Sequence, residues 1–476
     1  MYRAALEPAF QHALGYLDGI DDRKVAQPGS HDQLQQLLGG PLPDLGQEPA
    51  EIVATLARAV DPALVATGGP RYFGFVAGGT LPAAMAADWL TSAWDQNAGL
   101  HAMSPAAAQV EGIVAGWIKQ LLGLPETASV GLVTGCQMAN FTGLAAARGE
   151  VLRQKGWDLE AQGLSGAPPI HVLVGAEAHA TIFTALRLLG IGRQQITAVP
   201  ADDQGRMRAE ALAERLAASV GRPTIVCAQA GNVNSGAFDP MAEIAAAAHA
   251  HGAWLHIDGA FGLWAACHPD RRRLLEGHHL ADSWATDGHK WLNVPYDSGI
   301  AIVRDPGAHR RAVANTPAAY LMAAAPGQRD GQDWVPESSR RARGFALYAG
   351  LRSLGRQGVV ELIDRTCGLA VQMAERLGQL PGVTVLNQVV LNQVLLAVRP
   401  SAAQDSPQAL IARLVEGIAR DGTCWAGSTL WQGHHALRLS LSGWRMTAPQ
   451  IDRATAAIAA AIASARLAGG AERDRG

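Results

Sequence analysis

The chain has 476 residues, 48% hydrophobic and 17% charged, with 53 glycines and a formal net charge of −3. This composition excludes disordered and fibrous chains and describes a globular α/β enzyme, with two or three structural units around an ample core. A near-neutral charge without a basic stripe of interleaved aromatics leaves no electrostatic footprint for nucleic acid.

Glu7 and His12 stand where a signal peptide needs an apolar stretch. A helical pattern near Ala50 to Arg58 follows the loop Gly39-Gly40-Pro41-Leu42-Pro43-Asp44, so residues 1–79 are expected to form a helical arm. Across residues 80–343, short apolar runs alternate with Ala-rich helical stretches. The runs are Ser129–Thr134, Ile170–Val174, Ile196–Val199, Thr224–Ala228, Ala253–Ile257, Ser283–Thr286 and Gly299–Val303. The alternation predicts βαβ units, hence a mostly parallel seven-stranded sheet flanked by helices. Thr316 to Asp333, rich in Ala, Gly, Pro and Gln, is the candidate mobile loop.

Residues 344–476 predict a small α+β domain. A helix comes first, then strands near Val383–Leu386 and Val394–Val398, a helix at Pro407–Arg420, a strand at Ala436–Leu441 and a closing helix. Within that last helix, the Ala-rich segment Ala454–Ala463 is too short to span a bilayer. Five widely spaced cysteines without a CxxC pair argue against a disulfide framework and a zinc site. A cytoplasmic protein that binds no membrane, nucleic acid or metal is expected.

Lysine is nearly absent: Lys24, Lys119, Lys155 and Lys290 are the only ones among 39 basic side chains. Only Lys290 lies in a chemically loaded setting, Ala285-Thr286-Asp287-Gly288-His289-Lys290-Trp291, downstream of the strand-end Asp258 in Trp254-Leu255-His256-Ile257-Asp258-Gly259-Ala260. A lysine that forms a Schiff base and an acid that pairs with a pyridinium nitrogen are what pyridoxal 5'-phosphate (PLP) requires of a protein. Earlier, Gly131 to Asn140 reads as strand, Gly turn and helix, with Gly135, Cys136 and Gln137 at the turn. Such a turn either cradles a phosphate or is an ordinary strand-to-helix connection. His179 either stacks on a flat ring and contacts a substrate carboxylate or is structural. Asp258 can equally be a helix N-cap, His289 either donates to a phosphate or makes a structural hydrogen bond, and Cys136 has a rival reading as a nucleophile.

Taken in order, the Gly turn, histidine, strand-end aspartate and His-Lys pair resemble the fold-type I PLP-dependent enzymes, and within them the group II amino-acid decarboxylases, the family of aromatic amino-acid and glutamate decarboxylases. The resemblance runs from about Pro70 to the C-terminus. It includes Pro70-Arg71-Tyr72-Phe73-Gly74-Phe75, Ser104-Pro105 with Glu111, Ala230 to Asp239, and Ser339-Arg340-Arg341. It implies decarboxylation of an L-amino acid with Lys290 as the Schiff-base lysine, Asp258 as partner of the ring nitrogen and His179 as the stacking residue. Gly135, Cys136 and Gln137 would cradle the phosphate, with Asp287 and His289 opposite. Ala260 would lie under the ring, and Asn232 with Val233 beside the cofactor's 3-oxygen. The resemblance also implies a homodimer with shared active sites, in which residues 1–79 help to dimerise. Phe75 and Val76 of one subunit and Asn97 to Met103 of the other would line the substrate pocket.

The chain departs from the family in two places. Alignment through Trp334 and Arg340-Arg341 puts Gly331 where these decarboxylases carry the loop tyrosine that protonates Cα, a step that contributes about two to four orders of magnitude. Tyr320, upstream, is the substitute candidate. Asn97, Ala98, Gly99 and Leu100 are smaller or more polar than the aromatic wall expected there. Arg438 could bind a carboxylate or form a structural ion pair. These departures keep alternatives open: a decarboxylation-dependent oxidative deaminase or aldehyde synthase, an aminotransferase, or a non-catalytic interaction protein of the same fold.

Overall fold

Seven short runs of Val, Ile, Leu and Ala form one sheet in the computed structural model, which describes residues 2–26, 29, 31–315, 325, 327–401 and 406–471. The strands are β1 (Ser129–Val133), β2 (His171–Gly175), β3 (Ile196–Val199), β4 (Thr224–Gln229), β5 (Trp254–Asp258), β6 (Ser283–Asp287) and β7 (Gly299–Val303). Their order is β1-β7-β6-β5-β4-β2-β3. Pairings β2/β3, β2/β4, β4/β5 and β5/β6 are parallel, while β7 is antiparallel to both β1 and β6. Two reversals restore direction, so β1 runs the same way as β2 to β6, and six strands end at one edge. β1 and β4 to β7 are buried at every position, the signature of a sheet with both faces covered by helices.

Register fixes where the chemistry-bearing residues meet. Asp258 pairs with Ala285, while Val133 and Asp287 both pair with Gly299, so β7 brings the ends of β1 and β6 to either side of one glycine. Beneath the turn after β1 lies a floor of small side chains, Val133, Cys136, Ala139, Ala285 and Ala301, with Ala260 packed against it.

By internal contacts the chain divides into two compact units. Gly78–Ala370 with Asn387–Gln393 holds the seven-stranded sheet. Met1–Ala77 forms the other unit with Val371–Leu386 and Val394–Gly476. In that unit Arg71 is buried and ties the N-terminal segment down: Nε donates to Thr423 O (2.6 Å) and Nη2 to Arg23 O (3.3 Å), and Phe73 N donates to Trp425 O (2.9 Å). Its sheet has the order β10-β11-β9-β8, from β8 (Val383–Val385), β9 (Gln393–Val398), β10 (Gly427–Trp431) and β11 (His434–Ser440).

Three elements lie beyond the sequence expectation. Helices Tyr2–Gly19 and His31–Leu38 precede the expected one, which spans Pro49–Val60, and β10 is an added strand. β10 alternates exposed and half-buried positions up to its one buried residue, Trp431, so it lacks the apolar run that marks a buried strand. Among the described residues no helix is long and apolar enough to cross a membrane.

Candidate active site

Lys290 follows β6, and its side chain keeps 22% of its surface exposed. Nζ lies 3.0 Å from Asp287 Oδ2. Burial works against the ammonium form, but the Asp287 and Asp258 carboxylates outweigh it, and the lysine is held above its ordinary value. His289 Nδ1 accepts a hydrogen bond from Ser298 N (3.0 Å), which leaves the ring proton of the neutral imidazole on Nε2, 3.3 Å from Asp287 Oδ1. Burial lowers the affinity of His289 for a second proton.

Opposite this pair stands the first turn of the helix Cys136–Arg153. Gly135 sits at its N-cap with no side-chain cap, so the first-turn N–H groups are presented with the positive end of the helix dipole. A Cβ on Gly135 would meet His289 Cε1 at 3.1 Å and Asp287 Oδ1 at 3.6 Å. Gln137 is exposed at this turn, whereas Cys136 is buried. The Cys136 thiol is pushed well above its ordinary value, first by burial and then by Asp258 and Asp287, and it donates to Asp258 Oδ1 at 3.5 Å. A buried thiol held as a donor to Asp258 makes a poor nucleophile, which speaks against the rival reading of Cys136.

Asp258 ends β5, nearly buried, and accepts from Ala260 N (3.2 Å) and Asn140 Nδ2 (3.2 Å). Ala260, whose carbonyl accepts from Asp287 N at 2.9 Å, links the two acid-bearing turns. His179 caps the helix Ala180–Leu188: its Nδ1 accepts from Thr181 N (3.4 Å) and lies 2.8 Å from Thr181 Oγ1. Lys290, Asp287, His289, Gly135, Cys136, Asp258 and Ala260 are thus gathered in one place, with His179 joined to them through Thr181 and Asn140, whose Nδ2 donates to Thr181 Oγ1 at 3.4 Å.

Other sequence candidates sit differently. Asn232 uses its whole amide on its own turn and the loop after β2: Nδ2 donates to Gln229 Oε1 and to Glu177 O (3.1 Å each), and Oδ1 accepts from Asn234 N (2.8 Å) and Ser235 N (3.1 Å). Asn97 Oδ1 accepts from Gly99 N (3.0 Å) and Arg340 N (3.1 Å), a structural use. Phe75 and Val76 belong to the N-terminal unit and both have positive φ, 50° and 61°, a strained conformation for such side chains. Phe75 is 66% exposed, and its ring packs against Trp425 at 5.4 Å. Arg438 lies on β11, where burial pushes its guanidinium below its ordinary value. Tyr320 and most of the 316–326 stretch lie outside the described residues. A Cβ on Gly331 would meet Ala98 O at 2.3 Å and Arg340 Nη1 at 2.5 Å, so no larger residue fits there.

Sequence reasoning missed the residues behind Asp258. Asn140 Oδ1 meets His256 Nε2 at 2.9 Å, His256 Nδ1 meets Ser283 Oγ at 2.8 Å, and Trp254 Nε1 donates to Ser283 Oγ at 2.8 Å. The available signal was a histidine inside an otherwise apolar strand.

A family profile described as the pyridoxal-dependent decarboxylase conserved domain matches residues 32–399. The chain belongs to this family. The decarboxylase is 26% identical over 446 residues to an aromatic-L-amino-acid decarboxylase of Bacillus atrophaeus, covering 92% of this chain and 90% of the relative. It is 30% identical over 427 residues to an L-2,4-diaminobutyrate decarboxylase of Rhizobium meliloti, covering 88% and 83%. The fold matches a crystal structure of Oryza sativa TDC with PLP and tryptamine at a TM-score of 0.90, with 24% identity over 97% of this chain and 98% of that one. The protein is a PLP-dependent carboxy-lyase of amino-acid metabolism, with the fold-type I architecture that the sequence implied. Its residues fit the cofactor. A glycine opens the space between the helix N-terminus and His289 that a phosphate needs, a lysine amine stands beside it, and a buried carboxylate lies behind the same turn.

Proposed function

We propose that Lys290 carries PLP on Nζ and that Asp258, His179 and the turn Gly135-Cys136-Gln137 hold it for decarboxylation of an L-amino acid to the amine. The observation that supports this most is the convergence of Lys290, Asp287, His289 and Asp258 at the helix N-terminus that Gly135 opens. Bound there, PLP supplies a carbonyl carbon for an amine and a ring that accepts the electron pair released as carbon dioxide leaves. First-turn N–H groups and His289 Nε2–H bind the phosphate, and Asp258 keeps a proton on the ring nitrogen. Asp287 holds the Lys290 proton until the amine is needed. His179 accepts on Nδ1 and therefore offers Nε2–H to the substrate carboxylate while its ring stacks on the cofactor.

The same reading gives a homodimer in the cytoplasm. Phe75, Val76, Tyr320 and the partner subunit's Asn97 line its substrate pocket, and residues 1–79, 80–343 and 344–476 act as arm, cofactor domain and small domain. The strained backbone at Phe75 and Val76 supports a ligand-facing role, and five free, buried cysteines suit a reducing compartment. Purified enzyme incubated with an amino-acid panel under air and under nitrogen should yield amine and carbon dioxide alike in both. Borohydride reduction followed by peptide mapping should find the cofactor on Lys290, and an adduct on any other residue would overturn the assignment. Sedimentation tests the dimer.

A further inference from the structure

Behind Asp258 runs a buried chain of polar side chains whose donor directions are set at both ends. Trp254 Nε1–H can only donate, and a carboxylate can only accept. Trp254 donates to Ser283 Oγ (2.8 Å), which leaves the serine hydroxyl proton available to His256 Nδ1 (2.8 Å), the sense that the Asn140 end requires. The proton of neutral His256 then sits on Nε2 and is donated to Asn140 Oδ1 (2.9 Å). This fixes the Asn140 amide with Nδ2 forward, where its two hydrogens go to Asp258 Oδ2 (3.2 Å) and Thr181 Oγ1 (3.4 Å). Thr181, receiving one, directs its hydroxyl at His179 Nδ1 (2.8 Å).

The opposite sense fails at Asn140. A proton on His256 Nδ1 would leave Nε2 bare, turn the amide over and set its carbonyl oxygen against the Asp258 carboxylate, an unpaired acceptor contact in a buried site. Double protonation is opposed as well, since burial pushes His256 down to about 4. His256, Asn140 and Ser283 are fully buried. The helix makes room for the ring: a Cβ on Gly143 would come within 2.9 Å of His256 Cε1 and Nδ1.

We propose that Asn140 is a positioning residue, the hub of a one-directional hydrogen-bond chain from Trp254 through Ser283 and His256, which aims Asp258 and His179 together at the cofactor ring. One amide then sets the register of the group at the ring nitrogen and of the group stacked on the ring. The inference rests on the assignment of Asp258 to that nitrogen.

Two readouts test it. In the cofactor-free protein, 15N NMR of the histidines at neutral pH should show His256 protonated on Nε2 and bare on Nδ1; the reverse tautomer would overturn the proposal. Binding of PLP should then be compared with binding of its analogue in which carbon replaces the ring nitrogen. Asn140→Leu should weaken PLP by about tenfold or more, the value of a hydrogen bond to a charged group, and leave the carbon analogue nearly unchanged. Equal weakening of both ligands would mean structural damage alone and overturn it. Should Asn140→Leu not fold, Gly143→Ala, which displaces His256 without touching Asp258, carries the same expectation. Asp258→Ala separates the two levels: equal loss of both ligands refutes the ring-nitrogen assignment and with it the proposal, whereas the tautomer reports on the chain's direction by itself.

Discussion

Lys290 Nζ and Asp287 Oδ2, 3.0 Å apart, set the proton balance of the site. Burial alone would favour the neutral amine, and the nearby carboxylates reverse that. Asp287→Asn removes the closer carboxylate and leaves burial to dominate, so Lys290 should lose its proton more readily. The pH at which added PLP forms its yellow adduct at half-maximal rate should fall by about one pH unit or more, read by stopped-flow absorbance. An unchanged midpoint would mean that Asp287 does not hold the lysine proton. At this scale legibility followed scarcity and position. Lys290 stood out because lysine is rare, and Asp258 because it ends an apolar run. Asn140 was invisible, because one asparagine in an Ala-rich helix carries no pattern, and only the packing of that helix over β5 brings its amide to Asp258. Asn232 was legible as a turn residue, yet the saturation of its amide, completed by Glu177 O from a distant loop, could not be read from spacing.

The helix Cys136–Arg153 and the antiparallel β7 show how elements build the site, and their glycines separate three cases. Gly149 has open space where a Cβ would go, so Gly149→Ala should stabilise the helix by about 0.5–1 kcal/mol. Gly143→Ala gains the same propensity but drives a methyl into the His256 ring, so its melting temperature should fall, not rise. Gly299→Ala would place a Cβ 2.4 Å from the Gly135 backbone, which has no flexible end to yield. It should displace the turn, costing about 1–3 kcal/mol of stability and most of the affinity for PLP, measured by denaturation and cofactor titration. Equal melting temperatures for the three variants would refute this account. Alternating apolar runs made the seven strands legible, but the reversal of β7 depends on pairing across the sheet, which no local run encodes. Helix Tyr2–Gly19 was missed because Tyr2, Leu6, Phe10 and Leu14 face outwards, with Pro8 inside the helix, so no buried stripe marks it.

For the whole molecule, the order of elements was legible, but the gathering of Met1–Ala77 with the C-terminal segments was not, since Arg71 Nε reaches Thr423 O across most of the chain length. Buried histidines then govern how the fold responds to acid. Burial takes His256 down to about 4 and His309, also opposed by Arg329, to about 3, against an ordinary 6.5. Both folded values are depressed, so the unfolded chain takes up protons that the native one refuses. The stability they contribute is complete above 6.5 and is lost as the pH falls towards 4 and then 3, at about 1.4 kcal/mol per pH unit for each ring. Asp239 acts in the opposite sense: buried and raised to about 6, it gains stability as the pH falls from 6 towards 3.8, cancelling one ring over that interval. Together these three groups should weaken the fold as the pH falls from 6 to 4.5, with a combined slope near that of one histidine. His309→Asn keeps a donor towards Ser129 Oγ, 2.8 Å from His309 Nδ1, and should remove about 1.4 kcal/mol per pH unit from the acid slope. Urea midpoints measured across this interval decide the matter, because a variant slope equal to that of the parent would show that His309 is not a neutral ring in the native state.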